Sequence, residues 1–194
     1  MIPLPKILTT VSPLLNGEFE VISMTRGQEK ADQIRSKAGY IAVLPFERGT
    51  DGKLKSIYCV KSENPATSQT DVTLVIDKID STKDTTSYDT VCRAMIEETG
   101  IDLEKLGIDS GDIFYLGAIT TAIPVNSRFL CYAIDLTKAD NPKKPIEFAR
   151  TLSKSNFTKD SSEIVKLGFH QVVNGDYSDA TVLSGAFLLV SYFN

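Results

Sequence analysis

Apolar residues in the middle of the chain keep helical time: Tyr88, Val91, Cys92, Met95 and Ile96 recur at i, i+3, i+4, i+7 and i+8. That spacing predicts one buried stripe on one helix face. Thr86 and Asp89 stand at capping-box spacing ahead of it, and Gly100 follows as a left-handed terminator. A helix over 86–99 is therefore expected, with Arg93, Glu97 and Glu98 turned away from the core. Elsewhere the apolar positions alternate or run on in short, β-branched stretches. Segments 18–24, 39–46, 54–60, 71–80, 112–123, 128–136 and 162–173 read as strands. Gly49-Thr50-Asp51-Gly52 has hairpin-turn chemistry between two of them, and Pro124-Val125-Asn126 separates another pair. Ser178 and Asp179 precede an apolar run expected as a last helix, ending near Tyr192. Segment 137–160, with Pro142 and Pro145, is the longest irregular stretch. Residues 1–17, with three prolines, are expected as an arm lying on the surface or against a partner; residues 18–194 are expected as one domain. Helices covering a mixed central sheet make an α/β/α sandwich.

Composition narrows the class. The chain has 194 residues, 24% of them charged, and a net charge of −4. Its lysines and arginines are scattered, which argues against nucleic-acid binding through clustered cations. A small phosphorylated ligand is not excluded by this. Cys59, Cys92 and Cys131 are odd in number and set in apolar runs, as small core residues of a reducing compartment would be. Pro3 and Pro5 interrupt the start where a signal peptide needs an apolar run. The apolar stretch 180–193 is shorter than the ~20 residues of a spanning helix. A soluble, cytoplasmic protein without membrane partners is expected. Asn156-Phe157-Thr158 matches a glycosylation sequon, which has no meaning without secretion.

Residues 93–101 carry the most specific signal. Arg93, Met95, Glu97, Glu98, Gly100 and Ile101 fall on defined positions of a longer pattern, G-x5-E-x7-R-E-U-x-E-E-x-G-U, with U a bulky apolar residue. In this the chain resembles the Nudix hydrolase superfamily, whose box that pattern is. Three positions depart from it: Ile79 replaces the opening glycine, Thr85 the upstream glutamate and Ala94 the first glutamate of the core. The resemblance implies the Nudix α/β/α sandwich, with Arg93 and Gly100 as structural residues. It also implies divalent ions, Mg2+ or Mn2+, held by glutamates on the helix, with Glu97 and Glu98 as the metal ligands that remain. Mg2+ prefers carboxylate oxygens and lowers the pKa of an attacking water. Ala94 supplies no oxygen one turn before Glu98, on the side where the family holds its metal, so another carboxylate would have to reach in. Asp80 and Asp84 are the nearest candidates. Family members often take a general base from a later loop, where Glu163, Asp160 or Glu147 would serve.

Other chemistries find little support. The chain has no phosphate-binding G-x-x-x-x-G-K-[ST] loop, no G-x-G-x-x-G turn and no G-x-S-x-G elbow. Its one histidine, His170, is placed in an apolar strand, as a packed or rim residue. Arg128 opens a strand near the expected cleft and suits a phosphate, although a surface arginine is the plainer reading. Tyr115, Phe129 and Tyr132 suit a base or ribose, or simple packing. Two functions remain. One is a divergent Nudix-fold protein without standard catalysis, acting as a binding or assembly module, within a larger particle or as a homo-oligomer, with a protein partner or a small nucleotide-type ligand. The alternative is a Mg-dependent hydrolase of a nucleoside diphosphate linked to another moiety, such as a nucleotide sugar.

Overall fold

Ten strands in one mixed sheet, among the described residues, form the frame of the protein. The structure is a computed structural model that describes residues 7–14, 19–26, 29–36, 39–64, 69–121, 125–139, 163–174 and 179–193. Strands β1 (Ile7–Leu14), β2 (Phe19–Arg26) and β3 (Glu29–Ser36) make an antiparallel meander. β3 joins the rest through a short parallel pairing with β9 (Val125–Asp135). β9 pairs in parallel with β4 (Tyr40–Arg48) and antiparallel with β8 (Ile113–Thr121). β4 continues to β7 (Val75–Lys78) and β5 (Leu54–Asn64). β5 in turn holds β6 (Gln69–Thr73) and β10 (Glu163–Gly168).

Helix α1 (Ser87–Thr99) covers one face; α2 (Phe169–Val173) and α3 (Ala180–Phe193) cover the other. β4 is buried along both faces, as expected of a central strand whose sequence is an apolar run. Its Ile41 and Val43 pack with Val91, Ala94, Met95 and Ile134 under α1. Ala42, Leu44 and Phe46 pack with Cys131, Val182 and Leu189 under α3. The expected α/β/α sandwich with a mixed sheet is the architecture observed. Among the described residues, no helix is long and apolar enough to cross a membrane.

The helix ends stand where the sequence puts them. Thr86 Oγ1 accepts from the Asp89 N–H, the Asp89 carboxylate accepts back from the Thr86 N–H, and Gly100 closes the helix at φ 70°. The buried stripe is rolled, however. Thr90, Val91, Ala94, Met95 and Thr99 are buried, Tyr88 and Cys92 are half-buried, and Ile96 is 47% exposed. Two threonines make the roll affordable, because Thr90 and Thr99 return their hydroxyls to the carbonyls of Thr86 and Met95. Ala94, the smallest side chain of the stretch, then faces the sheet.

Other differences are local. Segment 71–80 divides at Leu74, with β6 pairing β5 and β7 pairing β4. Segment 162–173 is strand only to Gly168, whose N–H donates to Gln171 Oε1 at 3.1 Å and turns the chain into α2. His170 therefore lies exposed on a short helix, not in an apolar strand. Residues 7–14 of the expected N-terminal arm are strand β1, and the polar run of β3 is also strand, although nothing in its alternation announced it.

Candidate functional site

A guanidinium sits where the sheet, the loop before α1 and the helix meet. β7 brings in Asp77, loop 79–84 brings in Asp84, and α1 contributes Arg93 and Glu97. Arg93 donates from Nε to Asp84 Oδ1 at 3.0 Å and from Nη2 to Asp84 Oδ2 at 2.8 Å. Its Nη1 donates to Asp77 Oδ2 and, at 3.1 Å, to Glu97 Oε2, while Nη2 also reaches the Lys78 carbonyl at 2.8 Å. The Arg93 hydrogen bonds hold the Asp84 carboxyl down at about 2. Asp84 in return, with Asp77 and Glu97, holds the guanidinium above its ordinary range. Beside this cluster lies an open cleft of about 450 Å3, lined by Asp77, Lys78, Asp80, Lys83, Arg93 and Glu97 among others.

The remaining box positions have local tasks. Asp80 accepts from the Thr82 N–H at 3.0 Å and the Thr82 hydroxyl at 2.6 Å, which lower its carboxyl and fold the loop on itself. Thr85, in the place of the upstream glutamate, donates through N–H and hydroxyl to Asp89 at 3.0 and 2.6 Å. Asp89 is thus a cap, while Arg93 pairs with Glu97 one turn further along the helix. Ile79, in the place of the opening glycine, packs on Gly39, where an added Cβ would lie 3.1 Å from its Cδ1. Glu98 is half-buried, one turn after Ala94. Glu163 is exposed at the start of β10, opposite Lys61. Arg128 is exposed on β9, opposite Thr120. Asp160 and Glu147 lie outside the described residues.

A second polar cluster escaped the sequence reading. Glu47 is buried on the face of β4 that carries Ile41 and Val43. It accepts hydrogen bonds from the Tyr58 hydroxyl, from Ser56 Oγ at 3.3 Å and from Lys166 Nζ. Burial first, and then Glu47, push the Tyr58 hydroxyl above its ordinary range. One charged residue inside an apolar run was the available signal, but its three partners come from β5 and β10 and follow only from register.

No family model matches the chain, and no curated protein matches it in sequence. Its fold is nevertheless similar to solved structures. A crystal structure of an ADP compounds hydrolase aligns with TM-score 0.59 at 13% identity, over 100% of this chain and 96% of that one. The Nudix domain of Shewanella oneidensis NrtR, solved with ADP ribose, aligns with TM-score 0.53 at 16% identity, over 80% of this chain and 87% of that one. A crystal structure of Shewanella oneidensis NrtR aligns with TM-score 0.50 at 14% identity, over 80% of this chain and 64% of that one.

The chain has the Nudix fold.

With the Nudix fold in place, the fitness of α1 for a divalent ion follows from its donors. Mg2+ needs several oxygens converging on one point. Here Asp77, Asp84 and Glu97 converge on a guanidinium instead, so their centre already holds a positive charge. Ala94 turns a methyl group into the sealed core, with no exposed surface. Among the described residues, no group of three or more His, Cys, Asp or Glu is arranged to hold a metal ion. These donors do not fit the metal that the Nudix resemblance implies.

Proposed function

We propose that this protein is a Nudix-fold binding or assembly module that does not perform the metal-dependent hydrolysis of diphosphates. The observation that supports the reading is the place of Ala94. At the position of the box's first glutamate, the side chain is fully buried among Val91, Met95, Ile41 and Val43. A carboxylate there would lose its hydration without gaining a partner. Glu97, the nearest box glutamate on the cleft side, is spent on Arg93. What remains of the site is a rigid knot of ion pairs, suited to holding loop 79–84 against the helix rather than to activating water.

A small nucleotide-type ligand is the favoured partner, since the Nudix domain of NrtR was solved with ADP ribose. The reading is tested by incubating the protein with a panel of nucleoside diphosphates linked to sugars, nucleosides or phosphate, in Mg2+ and in Mn2+. Calorimetric binding without release of phosphate or nucleotide is expected. Turnover that saturates with either ion, and collapses in Glu98→Gln, would overturn it and make Glu98 a metal ligand.

A further inference from the structure

We draw no further inference here: the strongest candidate, the uncharged outer face of α3 around the exposed Phe187, is an apolar surface patch and nothing in the structure shows what covers it.

Discussion

Arg93 and Asp84 meet in a two-point ion pair, Nε to Oδ1 at 3.0 Å and Nη2 to Oδ2 at 2.8 Å, with the Asp84 side chain only 4% exposed. The planar fork of the guanidinium makes this geometry, and a lysine cannot reproduce it. Arg93 also spans to Asp77 and the Lys78 carbonyl, so one side chain ties helix, strand and loop together.

Removing it leaves a buried carboxylate without its cation. Arg93→Met is expected to cost about 2–4 kcal/mol, and Arg93→Lys to recover only part of that, in urea titrations at pH 7. The acid limb carries the same information. Asp84 falls from 3.8 to about 2 on folding, so the folded state binds fewer protons than the unfolded chain. The pair's contribution is full above about pH 4 and is lost as the pH falls through about 2. Stability of Arg93→Met should be flatter across that window. An equal acid slope in both proteins would show that Asp84 is not governed by Arg93.

The box helix was legible because its signals are local. Capping box and terminal glycine lie within fifteen residues and form as read, whereas the apolar period gave the helix but not the face it buries, since Ile96 is exposed. The roll of the helix was not legible, because Thr90 and Thr99 count as polar in sequence and become buried only by satisfying the preceding carbonyls. Polar β3 was missed for a related reason: its edge is set by pairing with β2 and β9, not by a face to bury. At the site, Arg93 and Asp84 were singled out, but as a structural residue and a metal candidate. That they belong to each other depends on loop 79–84 folding back, which Asp80 arranges through Thr82 and through the N–H groups of Lys83 and Asp84 on its carbonyl.

Glu47 is the long-range counterpart of that lesson and supplies a test of register. Its carboxylate accepts from Tyr58, Ser56 and Lys166, all brought to it by β5 and β10. Glu47→Gln keeps the shape but removes the charge facing Lys166, and about 1–3 kcal/mol of destabilisation is expected by chemical denaturation. Glu47→Leu should cost more, since it strands the buried Tyr58 hydroxyl. A Glu47→Leu variant as stable as the parent would show that the cluster is dispensable to the sheet.

The cysteines offer a separate probe of the two core layers. Burial pushes the Cys131 thiol up to about 12, and burial with the nearby Asp179 charge does the same to Cys59. Cys92, half-buried on α1, is raised by burial as well, while its hydrogen bond with Tyr88 works the other way. Thiolate is the reactive form. At pH 8 an alkylating reagent should therefore label Cys92 first, with Cys59 and Cys131 labelled only in denaturant, as read by peptide mass spectrometry. Rapid labelling of Cys131 in the native protein would contradict the packing of β9 beneath α3.

Ala94 separates the two functions most sharply. If α1 retained a metal face, Ala94→Glu would restore a ligand one turn before Glu98, and Mg2+ would stabilise the variant by mass action. The structure puts that methyl in the dry core with Val91 and Met95, where a carboxylate finds no hydrogen-bond donor and cannot stay hydrated. Added volume compounds the cost, since an overpacked core alone loses about 1–3 kcal/mol. Ala94→Glu is thus expected to melt well below the parent or fail to fold, while Ala94→Ser, nearly isosteric, should fold and give a usable baseline. Thermal melts of the parent, Ala94→Ser and Ala94→Glu, with and without Mg2+, measure this directly. A folded Ala94→Glu protein whose melting temperature rises with Mg2+, where the parent and Ala94→Ser do not respond, would place the residue on a metal face and restore the hydrolase.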